Sequence, residues 1–106
     1  MRSREIYWAR LPAPLGRRPV CIVTRDAAIG VLSNLTVAPI TSTIRGVRSE
    51  VPVGAEEGLP ENSVITCDNL LTISKATLDR EPVGTLRGAA RLDLDRALRY
   101  ALAIRG

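Results

Sequence analysis

A run of β-branched and apolar residues in the middle of the chain ends in three hydroxyl side chains and a cation. Residues 36–40 read Thr-Val-Ala-Pro-Ile and predict a buried strand, and Thr41, Ser42, Thr43 and Arg45 follow it. Compact hydroxyl donors at the end of a rigid strand suit the oxygen atoms of a phosphate, and a nearby guanidinium adds charge. The same residues are also typical of an ordinary Ser/Thr turn, so the rest of the chain must decide.

Basic charge is concentrated in the first half of the sequence. Residues 1–48 contain eight arginines and two acidic residues, whereas residues 49–106 contain seven Lys and Arg and nine Asp and Glu. This asymmetry favours a polyanionic partner, either a nucleic acid or an acidic peptide. A genome rich in G and C would explain the preference for arginine but not its distribution. The candidate contacts to such a partner are Arg10, Arg17, Arg25, Arg45 and Arg48.

Composition argues against several classes of protein. The chain has no histidine and only two cysteines, Cys21 and Cys67, each within an apolar run, so we expect buried free thiols, no metal site and no cofactor. No apolar run approaches the roughly 18–20 residues that a membrane span needs. The 106 residues therefore predict a single cytoplasmic domain, residues 1–106, without a membrane partner.

Short alternating or apolar runs predict a mainly β protein. The predicted strands cover residues 5–10, 19–24, 34–40, 49–53, 63–68, 69–74 and 83–86, with a bend near residues 68 and 69. In the first strand, alternation predicts that Ile6 and Trp8 face the core, which leaves Tyr7 as the exposed ring; if the polyanionic partner is a nucleic acid, a base would stack on it.

The final segment, residues 88–104, predicts a helix. Its apolar positions at helical spacing, which predict the core-facing side, are Leu94, Ala97, Leu98, Ala101, Leu102 and Ile104. On another face, Asp95 lies four residues from both Arg91 and Arg99 and can pair with either. Many short strands followed by one helix predict a strongly curled antiparallel sheet or barrel capped by that helix.

Five short motifs occur in a recognisable order. They are Glu5-Ile6-Tyr7-Trp8, Arg18-Pro19-Val20, Val37-Ala38-Pro39-Ile40-Thr41-Ser42, Gly58-Leu59-Pro60 with Ser63-Val64-Ile65, and Cys67-Asp68-Asn69 with Thr72-Ile73. Together they span nearly the whole chain, and in this order the sequence resembles the MazF/PemK-type toxins, endoribonucleases of bacterial toxin–antitoxin systems.

The resemblance implies an SH3-like β-barrel of the CcdB/MazF/PemK type with a C-terminal helix, assembled as a homodimer. It implies a type II toxin that cleaves single-stranded RNA (messenger, transfer or ribosomal) at specific sequences without a metal, and a cognate antitoxin with an acidic, disordered tail. The 2′-hydroxyl would attack the adjacent phosphate, leaving a 2′,3′-cyclic phosphate and a 5′-hydroxyl. Arg18 and Thr41 would be the catalytic residues. Ser42 and Thr43 would bind RNA together with Tyr7 and the five arginines named above.

Two other functions fit a small barrel of this kind. Gyrase poisons of the CcdB type resemble it without cleaving RNA, and a non-enzymatic SH3-like module would bind a peptide. The combination of Arg18-Pro19 with Pro39-Ile40-Thr41 favours the nuclease. The small number of aromatic residues disfavours a polyproline groove.

The chain departs from the family pattern at two points. Some relatives carry a glutamate in the loop before the arginine, but residues 11–17 contain no acid, so Glu50, Asp68 or Arg17 would have to take part in proton transfer. The glycine that usually precedes Glu-Ile is Arg4 here. The acid–base group and the recognised bases are therefore left open by the sequence.

Overall fold

The protein is a curled antiparallel sheet with a C-terminal helix. The computed structural model describes residues 1–105, in which the strands are Glu5–Arg10 (β1), Arg17–Ile22 (β2), Asn34–Thr41 (β3), Glu50–Val53 (β4), Ser63–Thr66 (β5), Leu71–Ser74 (β6) and Gly84–Thr85 (β7). The helices are Asp26–Ile29 (α1) and Ala89–Ala101 (α2), and single 3₁₀ turns cover Ala55–Glu57, Cys67–Asn69 and Lys75–Thr77. The predicted fold class, mainly β with a C-terminal helix, is confirmed.

Strand β3 is the centre of the sheet. The hydrogen-bonded order is β4-β5-β3-β2-β1-β7, and β6 also pairs with β3. One edge of β3 pairs with β2, and the other pairs first with β6 and then, at Ile40 and Thr41, with β5. The predicted bend between β5 and β6 is the Cys67–Asn69 turn, where Thr66 Oγ1 donates to the Pro39 carbonyl at 2.8 Å. The change of partner along β3, from β6 to β5, leaves the end of β3 at the rim of the sheet.

Both faces of β1 are covered, because the curled sheet encloses one core and packs α2 against another. Ile6 belongs to the cluster beneath α2, and Tyr7 lies in the second cluster with Val20 and Ile22. Tyr7 is only 3% exposed and donates its hydroxyl to Glu5 Oε1 at 3.1 Å. The pKa of Tyr7 is raised to about 12, mainly by burial and next by this hydrogen bond. The prediction that Tyr7 is an exposed stacking platform is wrong.

Helix α2 packs on the sheet through fewer residues than its periodicity predicted. Leu94 and Ala97 are buried, and Leu98 and Ala101 are partly buried. Leu102 and Ile104 are 52% and 55% exposed, since the helix ends at Ala101 and the chain turns away. The prediction that these last two residues face the core is wrong.

Arg4 joins α2 to the sheet. Its Nη2 lies 2.8 Å from Asp95 Oδ1, and its Nη1 donates to Ser3 Oγ and to the Val23 carbonyl. Asp95 thus pairs with a residue distant in sequence, and the predicted pairing with Arg91 or Arg99 is not found. Arg4 has a φ of 73°, a left-handed conformation that costs little for glycine and more for other residues. This explains why glycine suits the position, and the contacts of the arginine offset the strain.

Two glycines allow the backbone before β5 to cross β7 closely. A Cβ atom on Gly84 would lie 2.1 Å from the Glu57 carbonyl oxygen, and one on Gly58 would lie 2.4 Å from the Val83 carbonyl oxygen. Gly58 also has a φ of +86°, which favours glycine. The crossing fixes the start of the Leu59–Pro60–Glu61 segment against the sheet.

The thiols of Cys21 and Cys67 are free and buried, as predicted. Burial raises the pKa of Cys21 to about 12 and that of Cys67 to about 11. Both side chains are therefore neutral components of the core. No helix within residues 1–105 is long and apolar enough to cross a membrane.

Candidate active site

A tight hairpin turn orients Arg18 at the start of β2. The Leu11 amide donates to the Gly16 carbonyl at 3.0 Å, and Gly16 takes a φ of +65°. Arg18 Nε donates to the Leu15 carbonyl in the same turn at 3.0 Å. That bond fixes the guanidinium plane and leaves both Nη groups available, since no side chain of residues 1–105 forms an ion pair with Arg18.

Thr41 ends β3 on the same face of the sheet. Val20 pairs with Pro39 at the end of the β2–β3 ladder, and Arg18 and Thr41 each lie two residues beyond this pair, where both line the same cavities. Thr41 Oγ1 accepts a hydrogen bond from the Thr43 amide at 3.2 Å. Its acceptor role is thereby used locally, and its hydroxyl proton is free to be donated to a ligand.

Two cavities meet at this pair of residues. The larger has a volume of about 770 Å³ and the smaller of about 230 Å³, and both are lined by Leu15, Arg18 and Thr41. A group bound between Arg18 and Thr41 would therefore have open space on either side. This arrangement suits one phosphate of a polymer whose neighbouring units occupy the two cavities.

The larger cavity holds both carboxylates that the sequence left open as proton acceptors. Glu50 Oε1 accepts from the amides of Arg45 at 3.1 Å and Gly46 at 2.9 Å, which fixes the loop that precedes β4. Asp68 Oδ2 accepts from Ser49 Oγ at 2.5 Å. No hydrogen bond to the other Asp68 oxygen, Oδ1, comes from the described residues. Asp68 thus has a carboxylate oxygen free for proton transfer, and Glu50 is committed to the backbone.

The smaller cavity is lined on one side by Trp8. The Arg17 guanidinium carbon lies 5.2 Å from the centroid of the Trp8 ring, within the range of a cation–π interaction. Arg17 also makes a bidentate pair with Asp79, at 3.1 and 2.7 Å. The hydrogen bond from Arg17 holds the pKa of the Asp79 carboxyl below its usual range. Arg17 therefore packs on the indole ring of Trp8, and its charge is already paired with that of Asp79.

Comparison with known proteins identifies the family. The family model of the PemK-like, MazF-like toxins of type II toxin–antitoxin systems matches residues 2–102. The chain belongs to this family. It is 52% identical to "Endoribonuclease MazF3" of Mycobacterium tuberculosis over 78 residues, which are 74% of this chain and 73% of that protein.

Solved structures agree with the family assignment. "Mycobacterium tuberculosis toxin MazF-mt6" superposes with a TM-score of 0.89 at 41% identity, covering 97% of this chain and 100% of that chain. A mycobacterial endoribonuclease solved in complex with its cognate antitoxin has a TM-score of 0.86 at 23% identity, covering 100% of this chain and 98% of that one. The latter likeness shows the shared fold.

In this MazF-like toxin the predicted site residues divide into two groups. Those that line the two cavities are Arg17, Arg18, Thr41, Ser42, Thr43 and Arg45. The others lie elsewhere. Arg25 follows β2 at the end opposite Arg18, Arg48 lies 4.4 Å from the centroid of the Tyr100 ring, and Arg10 donates to the Ala76 carbonyl at 3.4 Å. Tyr7 is buried.

Sequence reasoning missed two residues of this MazF-like site, Trp8 and Glu61, which line the smaller cavity. A signal for Trp8 was present in the residues around it. Glu5 stands two residues before Tyr7 and so lies on the same strand face, where its carboxylate can accept a hydrogen bond from a buried tyrosine hydroxyl. A buried Tyr7 leaves Trp8 as the ring available to a ligand. Nothing in the local pattern around Glu61 distinguished it from the other charges of a polar loop.

Proposed function

We propose that the chain is the toxin of a type II toxin–antitoxin system and acts as an endoribonuclease on single-stranded RNA. The observation that carries the proposal is the position of Arg18 and Thr41, with free donors, where two cavities meet. The 52% identical relative that is named an endoribonuclease supports the same activity. The relatives thereby disfavour the gyrase poison considered above.

The proposed reaction is an internal transesterification at the phosphate held between Arg18 and Thr41. The 2′-oxygen forms a bond to phosphorus and the bond from phosphorus to the 5′-oxygen breaks, which gives a 2′,3′-cyclic phosphate and a 5′-hydroxyl. Asp68 takes the 2′-hydroxyl proton, and solvent protonates the leaving oxygen. The Nη groups of Arg18 donate to the non-bridging oxygens, whose charge grows in the transition state, and Thr41 adds one more donor.

Arg18 supplies the positive charge in this mechanism, so cleavage should not require a divalent metal. Purified toxin incubated with a long unstructured RNA in EDTA should give discrete cuts with 5′-hydroxyl and cyclic phosphate ends, located by end mapping. An oligonucleotide with a single 2′-deoxy substitution at the cut site should stay intact. Cuts that need added metal, or that occur at the deoxy position, would contradict the proposed chemistry.

Replacing Thr41 with valine, which keeps the shape of the side chain and removes the hydroxyl, should lower activity less than replacing Arg18 does. A hydrogen bond to a charged group contributes roughly 1.5–3 kcal/mol, so we expect kcat/KM to fall about 10- to 100-fold. Thr41→Ser keeps the hydroxyl and should recover most of the activity. Equal rates for the valine variant and the wild type, measured on one oligonucleotide, would remove Thr41 from the mechanism.

The proposal includes two protein partners and a cytoplasmic location, where the RNA is found. One partner is a cognate antitoxin whose acidic, disordered segment competes with RNA for the arginine-rich surface; the type II family description supports it. The other is a second copy of the chain. Exposed apolar side chains on the loop before β4 and at the end of α2 support a dimer, namely Ile44, Val47, Tyr100, Leu102 and Ile104.

A further inference from the structure

The smaller cavity contains an aromatic surface that the proposed reaction does not use. Trp8 is half-buried on β1, directly opposite Pro19 in the strand register. Arg17 covers one part of its ring and is itself held by Asp79. Of the three aromatic residues in the chain, Tyr7 is buried and Tyr100 lies under Arg48, so Trp8 is the ring that lines a cavity. A fixed indole is a suitable platform for an unstacked base.

The same cavity contains a carboxylate without a partner. Glu61 is exposed, and within residues 1–105 its carboxylate takes part in no hydrogen bond or ion pair. The carboxylates of the larger cavity differ, because Glu50 and Asp68 both accept hydrogen bonds from neighbouring residues. A free carboxylate beside the phosphate-binding Arg18 repels phosphate oxygens and can only accept hydrogen bonds. A ligand bound there would therefore present hydrogen-bond donors, such as the N–H groups of a base.

The wall that carries Glu61 is held in place. Ser63 Oγ donates to the Glu61 carbonyl at 3.1 Å, and Leu59 is only 5% exposed. The preceding residue, Gly58, lies at the close backbone crossing with Val83. A carboxylate on a segment anchored at both ends can discriminate between ligands, since the segment does not readily move to accommodate a poor partner.

We infer that the smaller cavity is a nucleobase subsite in which Trp8 stacks on a base next to the cut phosphate and Glu61 selects one with an exocyclic amino group. This inference rests on the proposed function, because it takes RNA as the ligand. Adenine, cytosine and guanine carry such an amino group, and acidic side chains accept hydrogen bonds from that of cytosine. Uracil presents two carbonyl oxygens around its single N–H, and these would face the carboxylate.

Binding measured without cleavage tests the inference independently of the catalytic activity. The probes are fluorescent oligonucleotides with a 2′-deoxy residue at the cut site, which differ only in having cytosine or uracil on each side of it. The wild type should bind one of the cytosine forms about tenfold more tightly than its uracil counterpart. Glu61→Gln, whose amide both donates and accepts, should lose this preference, while Glu56→Gln, on the nearby 3₁₀ turn and outside both cavities, should keep it.

Each outcome of this experiment bears on one proposal. An unchanged base preference in Glu61→Gln, or none in the wild type, would overturn the subsite. Trp8→Ala should weaken binding of every probe severalfold without altering the preference; unchanged binding would remove the stacking platform. If the preference is present but the matching all-ribose oligonucleotides stay intact, the subsite stands and the endonuclease activity fails.

Discussion

Replacing Arg18 with alanine should lower kcat about 1,000-fold, and replacing it with lysine should lower kcat about 100-fold, as expected when preorganised donors to a developing anion are removed. The guanidinium is held by the Leu15 carbonyl and offers two Nη groups in one plane. Lysine restores the charge, but neither that plane nor the two parallel donors. Cleavage of a labelled oligonucleotide at saturating substrate would measure kcat, and single-turnover cleavage would measure the rate of the chemical step.

Arg25→Ala is the matched control for this experiment. Arg25 is also an exposed arginine next to β2, but it lies at the other end of the strand, so its loss should leave the single-turnover rate unchanged. The Arg18 variants should keep the thermal stability of the wild type, because Arg18 is partly exposed and its side chain makes one hydrogen bond to the described residues. The Arg25→Ala variant should keep it as well. A folded Arg18→Lys variant with the wild-type rate would show that charge alone is sufficient.

The positions of the strands along the chain, and of Arg18 and Thr41 at strand ends, were predictable because they depend on local patterns. An apolar run that ends in hydroxyl residues marks the end of β3 wherever that strand lies in the sheet, and the Arg-Pro pair marks the start of β2 in the same way. Antiparallel pairing then brings these two strand ends together. The pairing of Val20 with Pro39, two residues from Arg18 and from Thr41, keeps these two side chains near one another.

Contacts between residues distant in sequence were not predictable. Alternation indicates that one face of a strand is buried but not whether the other is covered as well, so Tyr7, predicted to be exposed, is buried. Trp8, predicted to face the core, is half-buried and lines a cavity. Helical spacing paired Asp95 with its neighbours, whereas the observed partner, Arg4, is 91 residues away. Arg17 is paired with Asp79, 62 residues along the chain. In each case the tertiary contact outweighs the local pattern.

Asp68→Asn should lower kcat about 100-fold with little change in KM, the size of effect expected when a positioned general base is lost. The loop before Arg18 has no acid, so the proposed proton acceptor comes from the wall of the larger cavity. The amide oxygen of asparagine can still accept the hydrogen bond from Ser49, so the substitution removes the proton-accepting oxygen and keeps the local contact. Initial steady-state rates of cleavage measured over a range of RNA concentrations separate kcat from KM.

Glu50→Gln is the matched comparison, since Glu50 is the other carboxylate of this cavity. Two backbone amides already occupy its Oε1, and a carboxylate engaged in this way orders the loop that carries Thr43 and Arg45. We therefore expect its loss to raise KM more than it lowers kcat. Added formate or imidazole should restore part of the activity of Asp68→Ala, because a small base can enter the vacated space, and neither should improve Glu50→Gln. The opposite pattern would transfer the proton-accepting role to Glu50, and an unchanged kcat in both variants would place the base outside the larger cavity.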